Sequence, residues 1–204
     1  MGEVIADRKT NRRIIGLTGG IATGKSTVSD YLACQHRLPV LDADVFARDA
    51  VAKGSEILKA ISDRYGSSSL LPDGNLNRAY LGNIIFGNPA EKQWVEQQIH
   101  PYVRARFEIE IKELPVEQTL VYSIPLLFEA NLTHLVTEIW VITCSLAQQL
   151  ERLMERSKLT ECEARARIEA QMSLAEKCKR SDYVLDNSSS KEALFLQVDK
   201  LLVL

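Results

Sequence analysis

The chain has 204 residues, of which 46% are hydrophobic and 25% charged, and its formal net charge is −2 at pH 7. This length fits one domain, or one domain with an inserted lobe, that buries a substantial core. The nearly balanced charge lacks the basic excess of a dedicated nucleic-acid binder, and no apolar run approaches the roughly 18 residues of a membrane span. We therefore expect a soluble cytoplasmic protein that binds neither nucleic acid nor membrane.

Two further features favour this cellular setting. Residues 1–13 are polar and lack the apolar core of a signal peptide, so we interpret them as a loose extension without catalytic use. The cysteines show no two-residue spacing and lie on predicted helices or a core strand, at Cys34, Cys144, Cys162 and Cys178. This is typical of reduced packing residues rather than of zinc ligands or disulfides.

Apolar, β-rich runs alternate with helical patterns along the chain, which predicts a parallel sheet flanked by helices. The predicted strands cover residues 13–18, 38–41, 119–124, 138–143 and 183–185. Three helix starts carry the reciprocal pairing of a capping box, and these are Ser145 with Gln148, Thr160 with Glu163, and Ser189 with Glu192.

Two helical segments interrupt this alternation. Residues 55–114 show no evident core strand and are broken at residues 67–69, residues 72–74 and Pro89, which predicts a helical lobe inserted between the second and third strands. Residues 145–180 separate the fourth and fifth strands and are rich in Arg and Lys, which favours a mobile helical lid. We expect residues 1–204 to form a single domain that carries this lobe and this lid.

A glycine-rich motif follows the first predicted strand, with the sequence Gly19-Gly20-Ile21-Ala22-Thr23-Gly24-Lys25-Ser26. A strand that ends in such a turn and opens a helix directs backbone N–H groups and the positive helix end at one phosphate group. Lys25 would add a charge near the β and γ phosphates, and Ser26 would offer a hydroxyl to Mg²⁺. The alternative is a turn that only connects strand and helix, but the complete motif in this context favours a nucleoside triphosphate site.

Two carboxylates, Asp42 and Asp44, follow the second predicted strand at the sheet edge where open α/β sheets bind ligands. Alternate residues of an extended segment face the same side, so both could face one pocket. One would help to hold Mg²⁺ and the other would accept a proton from an attacking hydroxyl. Alternatively, Asp44 caps a helix that begins near Val45. Arg48, one helical turn later, would bind a substrate phosphate or pair with Asp44.

The third strand ends at Ser123, where an acid that binds magnesium is usual. This weakens the hypothesis of a motor or switch ATPase and makes Asp42 the better candidate for the metal. Glu129 is a further candidate site residue, or an acid that favours the dipole of a helix start.

The remaining candidates lie in the lobe and the lid. His100 precedes Pro101, which would kink or restart a helix, and either a structural role or a substrate contact fits the histidine. Arg152 and Arg156 share one helix face in the lid. Planar guanidinium groups suit bidentate phosphate binding, although Glu151 and Glu155 between them are also typical of an ordinary exposed face.

This ordered set of motifs resembles the dephospho-coenzyme A kinases from about Ile14 to Val198. The loop motif alone is shared by many protein types, but its combination with later motifs is far more selective. The matching elements after the loop are Asp42-Ala43-Asp44 with Ala47-Arg48, Ile85-Phe86, Ile99-His100-Pro101, Pro125-Leu126-Leu127-Phe128-Glu129, Gln149-Leu150 with Arg152 and Arg156, Ala170-Gln171, and Asp186-Asn187.

The resemblance implies a P-loop NTPase-type, five-stranded parallel sheet and transfer of the ATP γ-phosphate to the ribose 3′-hydroxyl of dephospho-coenzyme A, with Mg²⁺ as cofactor. It makes Asp44 the general base, and it assigns Lys25, Arg152 and Arg156 to catalysis. Acceptor contacts would come from Asp44, Arg48, His100 and Glu129, and metal contacts from Ser26 and Asp42. The nucleotide would be bound by Gly20, Ile21, Ala22, Thr23, Gly24, Lys25, Ser26, Thr27 and Asn187.

This chain departs from the family pattern at several positions. Ala22-Thr23 replaces the usual Gly-Ser in the loop, which should be harmless if neither residue needs a positive φ. The other departures are at Ser123, Ser157 and Ser181, none of which belongs to the candidate site. A different small-molecule or nucleotide kinase, or a nucleotide-dependent switch without catalysis, remains an alternative.

Overall fold

The structure is a computed structural model that describes residues 12–204. The predicted loose extension therefore lies largely outside the described residues, but its last two residues are bound to the protein. The buried side chain of Arg12 donates to the carbonyl of Val116 at 3.0 Å, and Arg13 forms an ion pair with Glu138 at 2.8 Å. The chain divides into two compact units, the first formed by residues up to Asp42 together with Pro115–Leu204, and the second by Ala43–Leu114.

The first unit contains a five-stranded sheet in the order β2-β3-β1-β4-β5, and every neighbouring pair is parallel. The predicted five-stranded parallel sheet is confirmed, with strand ends shifted by up to two residues. The strands are β1 (Ile14–Gly19), β2 (Val40–Asp42), β3 (Leu120–Ser123), β4 (Glu138–Thr143) and β5 (Tyr183–Asp186).

Parallel strands are covered on both faces and therefore carry nearly continuous apolar runs. The fully buried Leu17, Val121 and Trp140 come from three adjacent strands. At the carboxyl edge of the sheet, the register pairs Asp42 at the end of β2 with Ser123 at the end of β3.

The helices of the described residues are α1 (Lys25–Cys34), α2 (Ala43–Ala50), α3 (Glu56–Tyr65), α4 (Arg78–Phe86), α5 (Pro89–Lys112), α6 (Leu146–Ser157), α7 (Glu161–Glu169), α8 (Leu174–Lys179) and α9 (Lys191–Leu202), with short 3₁₀ helices at Ser67–Ser69 and Thr133–Leu135. Among those helices, none is both long enough and apolar enough to cross a bilayer.

Two of the three predicted capping boxes are confirmed. Ser145 opens α6 and Thr160 opens α7, each with the reciprocal side-chain bond. The third prediction is wrong, because the cap of α9 is Ser190, whose side chain accepts from the N–H of Ala193. Three consecutive serines offer equivalent caps, and burial of Leu194 and Val198 against the core selects the helix frame.

The second unit is helical, and its core contains Val51, Leu58, Ile61, Leu76, Leu81 and Val95. It begins at Ala43, earlier than the predicted lobe, because α2 packs on α5 through an edge-to-face contact of Phe46 with Phe107 at 5.3 Å between ring centroids. The division into one kinase domain with an acceptor lobe and a lid stays a prediction.

The prediction that a helix restarts at Pro101 is wrong, because α5 continues through this residue. An interior proline removes one helix hydrogen bond and costs about 3 kcal/mol. The helix has buried anchors on both sides of Pro101, at Val95 and Phe107, and its first turn is capped by the side chain of Asn88. Packing of these anchors offsets the local cost.

The second unit also contains a titratable group whose pKa is strongly shifted. Arg64 donates to both carboxylate oxygens of Glu91 at 2.8 and 2.9 Å, and the hydroxyl of Tyr65 donates at 2.6 Å. These bonds, Arg64 first, lower the pKa of Glu91 from 4.5 to about 2. A lowered folded-state pKa stabilises the protein above the unfolded-state value, and this contribution is lost as the pH falls through the folded-state value.

We therefore expect Glu91→Gln to lower the free energy of unfolding at pH 7 and to flatten its decline between about pH 5 and 2. Urea unfolding across this pH range measures both effects. Glu96→Gln on the same helix is the matched control, because its carboxylate is exposed and lies 3.8 Å from Lys92. Equal pH slopes for wild type and Glu91→Gln would contradict the assignment.

Candidate active site

The predicted phosphate loop connects β1 to α1, which begins at Lys25. Gly24 occupies the cap position with a left-handed φ of 102°, and a side chain there would collide with the amide nitrogen of Asn187 at 2.2 Å. Only glycine fits both the backbone conformation and the space. The N-terminus of α1, with Ser26 exposed in its first turn, provides the positive helix end that binds anions.

The loop departs from expectation at Ala22. The replacement of the usual glycine would be harmless only if φ stayed negative, but Ala22 has a φ of 60°. A left-handed conformation costs an L-residue with a Cβ about 1–2 kcal/mol. The loop therefore holds Ala22 in a strained backbone conformation.

Lys25 joins the ends of two strands. Its Nζ donates to the hydroxyl of Ser123 and lies 3.3 Å from Oδ2 of Asp42, while the Ser123 hydroxyl donates to the same carboxylate oxygen. The three side chains are mostly or fully buried. Ser123 thus replaces the usual acid of this strand with a hydroxyl that accepts from Lys25 and directs its own proton to Asp42. The sequence predicts site roles for Lys25 and Asp42 but not for Ser123.

The oxygen donors at this edge fit Mg²⁺, which prefers hydroxyl, carboxylate, phosphate and water oxygens and seldom has an all-protein cage. Ser26 is exposed at the helix start, and Asp42 lies at the sheet edge with one carboxylate oxygen engaged by Lys25. Within residues 12–204, no group of three or more His, Cys, Asp or Glu side chains is arranged to hold a metal. A metal would therefore depend on the substrate phosphates for most of its coordination.

Glu129 does not lie at a helix start, because the residues after Ile124 form turns. Its Oε1 is 2.9 Å from Nζ of Lys177 and accepts from the N–H of Met172 at 3.1 Å. The helix-dipole alternative is therefore wrong, and Glu129 contacts the predicted lid instead.

Asn187 contacts the phosphate loop, and Arg152 contacts Asn187. The amide of Asn187 donates to the carbonyl of Thr23 at 2.8 Å, and Arg152 donates to the carbonyl of Asn187 at 3.1 Å. The second terminal nitrogen of Arg152, Nη1, is buried and has no hydrogen-bond partner among the described residues. An unsatisfied charged donor is costly in a folded protein and is a natural binding group for a phosphate oxygen. Arg156, one turn later, is exposed.

Three candidates belong to the second unit. Asp44 and Arg48 lie on α2, and His100 lies on α5, and all three are exposed. The strand ends at Asp42 and the helix begins at Ala43, so the extended-segment argument that paired Asp42 with Asp44 is wrong. The cap alternative for Asp44 is wrong for the same reason, because Asp44 lies inside the first turn.

The cysteines fit the packing interpretation only in part. All four are free thiols, but Cys34 and Cys162 are exposed, and only Cys144 is buried. Burial raises the pKa of Cys144, an effect that the nearby Arg152 opposes. A thiol that stays protonated near neutral pH is a poor nucleophile.

The sequence did not indicate which residues bind the backbone of the phosphate loop through their side chains. Gln149 and Gln171 belong to motifs of the family resemblance but carry no sequence signal of a role, and Lys177 belongs to none of these motifs. Gln149 is 3% exposed and Lys177 is fully buried. Their burial could not be read from the sequence, because Gln and Lys are usually surface residues.

The glycine-rich loop between β1 and α1, the buried lysine at the sheet edge and the all-parallel sheet define a nucleotide-binding protein of the P-loop kinase class. The chain belongs to the dephospho-CoA kinase family, whose sequence profile matches residues 13–192.

Individual relatives agree with this family. The dephospho-CoA kinase of Trichormus variabilis is 61% identical over 188 residues, which are 92% of this chain and 95% of the relative. That of Synechocystis is 57% identical over 93% of this chain and 94% of the relative. Among solved structures, a Thermus thermophilus protein has a TM-score of 0.80 at 34% identity, covering 94% of this chain and 97% of that chain. The dephospho-CoA kinase from Campylobacter jejuni has a TM-score of 0.65 at 28% identity, with coverages of 93% and 95%.

The strained residue of the loop leads to a stability prediction. Ala22→Gly should release about 1–2 kcal/mol of backbone strain, and about 0.4–1 kcal/mol is lost again to the greater unfolded-state entropy of glycine. We expect a small net increase in the free energy of unfolding, measured with urea. Ala170→Gly is the matched control, because Ala170 ends α7 with an ordinary φ of −70° and should lose stability instead. A decrease for both variants would show that Ala22 is not strained.

Proposed function

We propose that this protein phosphorylates the ribose 3′-hydroxyl of dephospho-coenzyme A with ATP, giving coenzyme A and ADP. The observation that carries the proposal is the phosphate loop, with Lys25 bound to Asp42 and Ser123 at the edge of the parallel sheet, in a chain of the dephospho-CoA kinase family. The cytoplasm, where ATP is abundant, is the proposed location.

ATP is the proposed donor, with its phosphates in the loop formed by residues 20–27. The backbone N–H groups of the loop and the end of α1 provide fixed dipoles, and Lys25 adds a positive charge beside the β and γ phosphates. Arg152 would provide its unpaired Nη1, and the exposed Arg156 would reach the transferring phosphate when the lid closes. Asn187 supports the loop through Thr23.

Mg²⁺ is the proposed cofactor, which the hydroxyl of Ser26 and the carboxylate of Asp42 would hold. When bound, the ion neutralises phosphate charge and orients the phosphates. Ser26 and Asp42 would hold their own oxygen atoms in place around the ion. Asp42 has a second task, because the same carboxylate pairs with Lys25.

On the acceptor side, Asp44 is the proposed general base. The 3′-hydroxyl oxygen attacks the γ phosphorus, the bond to the β–γ bridging oxygen breaks, and ADP leaves while Asp44 takes the hydroxyl proton. The transition state is loose, so alignment and neutralisation of charge matter more than the strength of the base. Arg48 and His100 are the proposed acceptor contacts. The ion pair of Glu129 with Lys177 supports an additional structural role for this acid.

The test of this function is an ADP-release assay with dephospho-coenzyme A as acceptor, and with nucleoside monophosphates and shikimate in parallel. We expect ADP only when dephospho-coenzyme A is present, and one 3′-phosphate per ADP. The Lys25→Met variant should be at least roughly a hundredfold slower, because a preorganised charge at the transferring phosphate is lost. Preference for another acceptor would identify a different kinase, and slow ADP release that ignores every acceptor would indicate a nucleotide-dependent switch.

The proposed base gives a sharper prediction. Asp44→Asn should bind ATP normally but reduce kcat by ~10²- to 10⁴-fold, the span for loss of a general base. The substitution keeps side-chain size in the first turn of α2, and Asp49→Asn, on the same helix and also exposed, is the matched control. Steady-state kinetics and ATP titration measure the two effects. An unchanged kcat for Asp44→Asn would remove Asp44 from the chemistry.

A further inference from the structure

Lys177, in α8, is fully buried, which is rare for lysine because removing a charge from water costs several kcal/mol. Such a residue persists when every donor of the ammonium group has an acceptor. The Nζ of Lys177 donates to the carbonyls of Gly19 and Pro125, each at 3.1 Å, and lies 2.9 Å from Oε1 of Glu129. Lysine has three N–H donors, and these three acceptors match them.

The acceptors connect the ammonium group to the site. Gly19 is the last residue of β1 and the first of the phosphate loop, while Pro125 follows the end of β3. The hydroxyl of Thr18 also donates to the carbonyl of Pro125, at 3.1 Å. Lys177 therefore joins the ends of two neighbouring strands at the point where the loop begins.

Two glutamines hold the next peptide groups of the loop. Gln149 Nε2 donates to the carbonyl of Ile21 at 2.7 Å, and Gln171 Oε1 accepts from the N–H of Ile21 at 2.9 Å. A Cβ on Gly20 would approach Gln149 Nε2 to 2.7 Å. Glycine at this position therefore allows the close contact.

These bonds follow a pattern along the loop. The carbonyls of Gly19, Ile21 and Thr23 accept from the side chains of Lys177, Gln149 and Asn187 respectively. Because donors from outside the loop bind alternate carbonyls, the loop backbone is fixed without using the phosphate. A backbone that is already ordered loses less conformational entropy when ATP binds.

We propose that Lys177 and Gln171 are positioning residues that hold the phosphate loop in its ATP-binding conformation. Neither residue needs to touch ATP for this role. Both lie in the last part of the predicted mobile lid, from Gln171 onwards, so this part belongs to the fixed loop support. The inference rests on the proposed function for its catalytic consequence, but nucleotide affinity tests it independently.

The test compares Lys177→Met with Lys179→Met, two residues later on the same helix and exposed. Methionine matches the unbranched aliphatic stem of lysine but lacks the ammonium group and therefore all three donors. For Lys177→Met we expect at least a tenfold weaker affinity for Mg-ADP by titration calorimetry, a lower kcat/KM for ATP, and an unchanged KM for dephospho-coenzyme A. Lys177→Arg should not restore affinity, because the planar fork of arginine does not match three acceptors around one point.

Gln171→Met provides the second arm, since Gln171 is only partly buried and its loss removes the acceptor of one loop N–H. We expect a several-fold loss of Mg-ADP affinity in this variant, which decides the matter if Lys177→Met does not fold. Normal Mg-ADP affinity in a folded Lys177→Met, with only a lower melting temperature, would overturn the proposal. So would normal affinity in Gln171→Met. A wild-type protein that binds Mg-ADP but transfers no phosphate would refute only the proposed function. The comparison of Mg-ADP affinities would still test the roles of Lys177 and Gln171.

Discussion

The arrangement of the active site depends on satisfying the backbone of one short loop that has no regular secondary structure. The polar groups of a loop packed against a buried sheet need partners, because an unpaired buried group costs about 1–3 kcal/mol. In this protein the carbonyls of Gly19, Ile21 and Thr23 receive side-chain donors from distant parts of the chain. The strained φ of Ala22 is sustained by the same bonds, which hold both neighbours of the residue. These bonds thus fix the backbone of the loop that is proposed to bind phosphate.

Charged and hydroxyl side chains at the edge of the sheet lie close to this loop. Asp42 and Ser123 lie at the ends of neighbouring strands and both contact Lys25, so this lysine is held by one charged and one neutral partner. A hydroxyl in place of a second acid leaves less negative charge to compete with the phosphates for the lysine. The second lysine near the loop, Lys177, is fully buried and is neutralised by Glu129, whose side chain stays partly exposed. One lysine thus faces the ligand site and the other supports it.

The contacts with the loop come from two separate parts of the segment between β4 and β5. Gln149 near the start of α6 and Gln171 after α7 both bind Ile21, and Met172 binds Glu129. Helix α7 and the end of α6, with Arg156, lie between these attachment points. If the predicted lid closes while the loop support stays intact, its motion is confined to this stretch. Arg156, which is proposed to bind the transferring phosphate, lies on this stretch.

Local patterns in the sequence were enough to predict the parallel sheet, the phosphate loop and two of three helix caps, because strand alternation, glycine-rich turns and capping boxes depend on residues close in the chain. The resemblance of ordered motifs added the family. Tertiary structure decided three points that local patterns leave open. These are the choice of Ser190 rather than Ser189 as the cap of α9, the continuation of α5 through Pro101, and the position of Asp44 inside a helix. It also decided the roles of Gln149, Gln171 and Lys177. A buried polar side chain is recognised by its partners, and those partners lie as far as 158 residues away along the chain.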